Sequence, residues 1–192
     1  MRRPIRNVAV LLAGLLPLTA QAVSIESLTV TKTDDRYRVT LQARLDASAD
    51  RAFSVLTHYE ALPDISKAVK LVRLEPDAPA DIQRVYTRMR ACFSFFCRTL
   101  EQVQDMRSSA SPNGGSLSAT VLPDKSDLRY GQADWTIDRC ATANQTCLSF
   151  VAEVEPKFWI PPVIGPWAME RKLREEALET TQGIERLAKA AP

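Results

Sequence analysis

Histidine is almost missing from this chain: His58 is the single one among 192 residues. A catalytic triad or a zinc centre built on imidazole therefore has one ring to draw on. The phosphate-cradling pattern G-x-x-x-x-G-K-[ST] does not occur, and neither does the nucleophile elbow G-x-S-x-G, so the sequence offers no nucleotide or other cofactor motif. Only six glycines are present, and no Gly/Ser linker, internal repeat or low-complexity run divides the chain. An excess of one charge is lacking too, with 25 Lys+Arg against 23 Asp+Glu, so no nucleic-acid partner is expected.

The N-terminal segment is different in kind. Arg2, Arg3 and Arg6 precede an apolar run, Val8 to Leu18, and Ala20-Gln21-Ala22 follows as a small-x-small site. This is the pattern of a secretory signal, and the run is too short to span a bilayer, which needs roughly 20 residues. Residues 1–22 are read as a signal peptide cleaved after Ala22, and 23–192 as one domain, periplasmic or secreted. The signal accounts for three of the 25 basic residues and none of the 23 acids, which leaves 22 against 23 in the mature chain. No later run is long and apolar enough to span a membrane.

Export gives the cysteines a context. Cys92, Cys97, Cys140 and Cys147 are an even set, which in an oxidising compartment favours disulfides. The spacings C-x4-C and C-x6-C do not match the usual zinc pairs, and no metal is expected. Four cysteines allow three connectivities. The sequence-local one, 92–97 with 140–147, makes a geometric demand. Residues five apart on one strand lie about 16 Å apart, whereas a disulfide usually joins Cα atoms about 4.4–6.8 Å apart. The chain must then reverse within ACFSFFCR, giving a hairpin tip Phe93 to Phe96, and again within ATANQT, Ala141 to Thr146.

Periodicity supplies the elements. In RYRVTLQARL, Arg36 to Leu45, apolar Tyr37, Val39, Leu41, Ala43 and Leu45 alternate with polar residues, as in a strand with one wet face. Asp34-Asp35 is the turn from an earlier strand near Leu28 to Lys32. Ser48 can cap a helix of about ten residues, and a second short helix is expected over Leu62 to Ala68. Further strands are expected near Val69–Glu75, Gln83–Cys92, Cys97–Ser108, Gly115–Leu122, Ala133–Arg139 and Cys147–Glu155. Short turns between them imply an antiparallel meander. After Pro161-Pro162 and Gly165-Pro166, Leu173, Ala177, Thr181, Ile184 and Leu187/Ala188 recur at helical spacing, so a long helix is expected from Pro166 to Ala190. The predicted fold is α+β: a curved antiparallel sheet with two short helices, wrapped around one long C-terminal helix over a central apolar cavity.

Two stretches resemble a known family. VTLQARLDASADRAFSVLTHYEALPDI resembles the first strand and short helices of the START-like (SRPBCC, helix-grip) superfamily. PKFWIPPVIGPWAMERKLREEALETTQGIERLA resembles its Pro-rich approach and gripping helix. More narrowly, the chain is similar to bacterial polyketide cyclase/dehydrase or coenzyme-Q-binding START-type proteins. The resemblance implies a cavity for sterols, lipids, quinones or polyketides, and in some members cyclisation or dehydration. His58 stands where many relatives carry an acid, so no role is carried over to it.

The candidate site is aromatic. KFWIPPVIGPW holds Phe158, Trp159 and Trp167 among stiffening prolines, and rings in so apolar a loop line a core, a cavity mouth or a membrane contact. Phe93, Phe95 and Phe96 crowd the first hairpin tip, where one or two rings are expected to pack inward and at least one to be exposed. With Trp135 these residues are the expected cavity or mouth. The expected ligand is a hydrophobic small molecule such as a lipid or isoprenoid, bound and in one version transported, with transient membrane contact. Two alternatives stay open. One is a cyclase/dehydratase-type enzyme drawing on Tyr86, Glu101, Gln102 and Tyr130. The other is an interaction module presenting exposed aromatics to a protein. No catalytic residue is assigned. Arg84, Arg88 and Arg90 share one strand face, which is either wet or a basic patch for an anionic head group.

Overall fold

The alternation of Arg36 to Leu45 becomes a strand whose apolar side chains are all buried and whose polar ones stay wet. The structure, a computed structural model, describes residues 23–93, 96–142, 144–160 and 165–190. The expected signal peptide and its cleavage point, the tip residues Ser94 and Phe95, and Pro161-Pro162 lie outside the described residues.

The elements are β1 (Ser24–Thr33), β2 (Arg36–Leu45), α1 (Ala49–Thr57), a 3-10 turn (Tyr59–Ala61), α2 (Leu62–Ile65), β3 (Val69–Glu75), β4 (Gln83–Phe93), β5 (Phe96–Ser111), β6 (Gly114–Val121), a second 3-10 turn (Pro123–Lys125), β7 (Leu128–Arg139), β8 (Thr146–Pro156) and α3 (Gly165–Ala190). One antiparallel sheet runs in the order β1-β2-β8-β7-β6-β5-β4-β3. Every neighbour is sequential except β2 and β8. The chain leaves β2, crosses through α1 and α2 to the far edge, and meanders back until β8 closes against β2. The Asp34-Asp35 turn is tight, with Thr33 opposite Arg36 and Asp34 at φ 54°, a conformation Asp tolerates.

Helix α3 spans about 39 Å at 1.5 Å per residue. Pro166 sits in its first turn, where a missing N–H is no loss. The helix touches β1 and β2 near one edge of the sheet and β4 near the other, so the sheet curls around it. Ala177 and Ile184 join Leu41, Leu45, Val85 and Ile137 in one core. Thr146, fully buried, donates its hydroxyl to the Ala47 carbonyl at 2.7 Å and ties the start of β8 to the exit of β2. No described helix is long and apolar enough to cross a membrane.

Four local expectations are corrected. The first hairpin tip is two residues rather than four, because pairing continues through Cys92↔Cys97 to Phe93↔Phe96. Ser48 takes the N-cap position of α1, but its hydroxyl makes no capping bond. The second helix stops at Ile65, three residues early, because Ser66 is extended. Strand β7 also starts five residues before its expected position, at Leu128.

Both sequence-local disulfides form. Cys92 and Cys97 are direct cross-strand partners with Cα atoms 3.9 Å apart, and Cys140 and Cys147 bridge the β7–β8 hairpin at 5.1 Å. Asn144, at φ 63°, turns that second tip. Loops this short give each bridge about 2–2.5 kcal/mol in the chain-entropy picture. Bridged pairs of this kind fit an oxidising compartment.

Candidate functional site: an apolar cavity under the sheet

A row of alanines makes the cavity. Ala119 on β6 pairs with Ala133 on β7, which pairs with Ala152 on β8. All three face the concave side; Ala119 and Ala133 line the cavity, and their methyl groups leave space between the larger lining side chains. The result is a cavity of about 220 Å³. Leu56, Tyr59 and Leu62 close it from the helical side, and Met106, Trp135 and Phe150 wall it from the sheet. Trp135 and Phe150 are cross-strand partners with ring centroids 4.9 Å apart. An apolar cavity of about 150 Å³ can bind benzene, and drug-sized sites take about 300–1,000 Å³. This one therefore suits a pair of rings or a short chain.

One side of the wall is polar and uncharged. Thr87 on β4 faces Gln102 on β5, and Gln104 follows on the same face. The Gln102 amide donates to Gln104 at 3.4 Å, a long bond. Thr87 is only 2% exposed, and its hydroxyl has no hydrogen-bond partner among the described residues. The described lining residues include no Asp, Glu, Lys, Arg or His. Burial raises the pKa of Tyr59 above the phenol value, with a hydrogen bond from Ser108 opposing it, so this ring stays neutral at pH 7.

A second, outer cleft of about 560 Å³ is lined among others by Lys32, Tyr37, Arg129, Phe158 and Trp159. Tyr37, which lines the cleft, pairs across strands with Val154, which lines the cavity. Burial raises the pKa of Tyr37, with the charges of Glu170 and Asp35 acting in the same direction. Its hydroxyl also lacks a partner among the described residues. The Arg98 guanidinium lies 4.5 Å from the Phe158 ring centroid and stacks on it, joining the β5 start to the segment after β8.

The expected site residues separate. Trp135 lines the cavity, and Phe158 and Trp159 line the outer cleft. Trp159 and Trp167 are 77% and 64% exposed, with Arg171 over the Trp167 ring at 5.7 Å. Phe93 and Phe96 are register partners across the hairpin. Phe95 lies outside the described residues.

Of the four polar candidates, Gln102 alone looks into the cavity from its own side chain. Tyr86 and Glu101 stand on the convex face. Arg73 covers the Tyr86 ring at 4.3 Å, and Glu101 accepts from Arg88 at 3.0 Å. Tyr130 donates to Gln132 at 2.9 Å beneath the Arg36 guanidinium. Strand alternation put these residues opposite their cavity-facing neighbours. The same face neutralises two of the three arginines, since Arg84 binds Asp105 through two contacts of 2.7 and 3.0 Å. Glu155 there is held below the usual carboxylate range by hydrogen bonds from Arg129 and Arg36. His58 caps the end of α1, its side chain 66% exposed and 3.5 Å from Glu60. Thr87, Gln104, Tyr59 and the alanine row were not foreseen, because no local signal marks them.

No curated protein sequence matches the chain. Solved structures are similar in fold. The Zhui aromatase/cyclase from Streptomyces sp. R1128 superposes with TM-score 0.62 at 13% identity, over 80% of this chain and 94% of its own. A STAR-related lipid transfer protein from Xanthomonas axonopodis gives 0.60 at 14%, over 84% and 98%. A START superfamily protein from Mycobacterium smegmatis gives 0.58 at 16%, over 80% and 99%. A family profile matches residues 45–179, from the last residue of β2 through most of α3, and so includes every strand that walls the cavity. With the helix-grip architecture and more than half of the sequence matched, the chain belongs to the polyketide cyclase/dehydrase and lipid transport family.

Proposed function

We propose that this protein is exported by residues 1–22 and binds a hydrophobic small molecule, such as a lipid or isoprenoid, which it carries between sites. The observation that carries the reading is the roughly 220 Å³ cavity, walled by apolar side chains and empty of formal charge among its described lining residues. Apolar burial is the driving force available there. A ligand that hides about 250 Å² gains about 6 kcal/mol before ordering costs. A ligand confined to the inner cavity therefore exchanges readily. One that stays bound through purification also reaches past Val154 and Tyr37 into the outer cleft. The description of the family and the lipid transfer protein among the structural neighbours support carriage.

The test is native mass spectrometry on protein exported with its own leader and purified without detergent. The expected mass begins at Val23, lies four hydrogens below the reduced value, and carries an excess that denaturation removes. A clean mass, joined to failure of small apolar probes to bind, overturns the reading.

Trp159 and Trp167 are the proposed side of transient membrane contact, since exposed tryptophans suit the bilayer interface. Trp159→Ser with Trp167→Ser is expected to lower vesicle co-sedimentation severalfold with the melting temperature unchanged. Equal co-sedimentation by the variant rejects that docking side. In the enzymatic alternative, proton transfer inside the cavity falls to Tyr59, the titratable side chain among its described lining residues.

A further inference from the structure

We propose that the cavity selects an uncharged ligand bearing a hydroxyl or carbonyl oxygen, held at Thr87 beside Gln102 and Gln104, over the carboxylate of the same skeleton. This rests on the cavity-binding reading above and adds the chemistry of the ligand's polar end.

Thr87 is the first reason. Its hydroxyl is buried in the cavity wall without a partner among the described residues. Folded proteins rarely leave such a group unpaired, because an unmade hydrogen bond in an apolar setting is unfavourable. A threonine hydroxyl can donate to a carbonyl or accept from an alcohol, so either ligand oxygen completes it.

The second reason is what surrounds it. Gln102 lies directly across the β4–β5 ladder from Thr87, and the 3.4 Å contact to Gln104 leaves both amides with unused donors and acceptors. These three side chains form one neutral polar strip, with the alanine row and Trp135 on the same concave surface. An oxygen at the strip and a ring over the alanines is a single pose.

The third reason is charge. The nearest ionic pair in sequence, Arg88 with Glu101, projects from the opposite face of the same two strands. A carboxylate in the cavity meets no counter-charge among the described lining residues, and removing a carboxylate from water is far more unfavourable than removing a hydroxyl. Arg98 is the nearest cation on the concave face of β5, and it is stacked on Phe158 at the cleft.

The experiment titrates naphthalene, 2-naphthol and 2-naphthoate, three probes of one ring skeleton, into the oxidised mature protein at pH 7. The expected order is 2-naphthol tighter than naphthalene by about three- to tenfold, with 2-naphthoate weaker than both by more than tenfold. In Thr87→Val, nearly the same shape without the hydroxyl, 2-naphthol is expected to lose about three- to tenfold while naphthalene stays within twofold. Thr87→Ser, which keeps a hydroxyl, retains the preference. Equal binding of 2-naphthol and naphthalene by the wild-type protein overturns the inference and leaves cavity binding intact. So does a Thr87→Val loss shared by both probes, or 2-naphthoate as the tightest ligand. If none of the three probes binds, the cavity-binding reading itself fails.

Discussion

Ala133→Phe is expected to weaken 2-naphthol binding by about a hundredfold while shifting the melting temperature by no more than a few degrees. Ala133 is the centre of the alanine row, paired with Ala119 on one side and Ala152 on the other. Side chains on a strand stand roughly perpendicular to the sheet, so a phenyl ring at 133 rises into the roughly 220 Å³ that a ligand would occupy. In a filled core the same enlargement costs about 1–3 kcal/mol through displaced neighbours. Here the space is already present, and the ring gains burial against Trp135 and Phe150 in place of a ligand. A control on the same strand and face makes the comparison internal. Ile137, fully buried in the packed core, has no such space, and Ile137→Phe is expected to lower stability by the usual overpacking amount. Titration calorimetry and thermal unfolding of both variants read the outcome. If Ala133→Phe destabilises as much as Ile137→Phe, the cavity is not an open space in solution. If it folds normally and still binds 2-naphthol fully, the ligand sits elsewhere.

Gly183→Ala is expected to destabilise by about 3 kcal/mol, lowering the melting temperature by about 6–12 °C for a domain of this size. On an exposed helix the same substitution stabilises by about 1 kcal/mol, because alanine is the better helix former. Position 183 reverses the sign. A Cβ built there lies 2.0 Å from the Ile65 carbonyl oxygen and 2.8 Å from its carbon, and both belong to backbone that no rotamer can move aside. To admit the methyl group, α3 must lift from the end of α2, and Ile65 and Ile184 are both in the core that would open. Leu62, on the same short helix, closes the cavity, so probe affinity is expected to fall with stability. Urea unfolding gives the number. A stabilised Gly183→Ala protein shows that α3 does not rest on α2 in this way.

Much of the architecture was legible in residue order because it rests on local repetition. Arg36–Leu45 alternates so cleanly that its strand has the expected ends, as Val69–Glu75 does. The C-terminal helix follows from its spacing of apolar residues and the prolines before it. The local disulfides demand hairpins, and the chain supplies them at both places. Local reading failed at ends and faces. Pairing through Cys92 and Cys97 shortened a four-residue tip to two, because hydrogen bonding continued until the backbone had to turn. Strand β5 alternates polar and apolar on both sides, so its sequence did not say which side is concave.

What the sequence by itself determined is the list of elements, their order and the charge balance, because each depends on composition or on neighbours a few positions apart; which of the three cysteine pairings forms was decided by the hairpins. Tertiary structure decided where the ligand chemistry lies. Ala119, Ala133 and Ala152 are ordinary residues in three separate strands until antiparallel register lines them up. Thr87 and Gln102 become one polar strip because a hairpin places them opposite each other, and Tyr86 and Glu101, one residue away on each strand, fall on the opposite face for the same reason. Alternation tells each strand that it has two faces. Only the curl of the whole sheet around α3 makes one of them the inside.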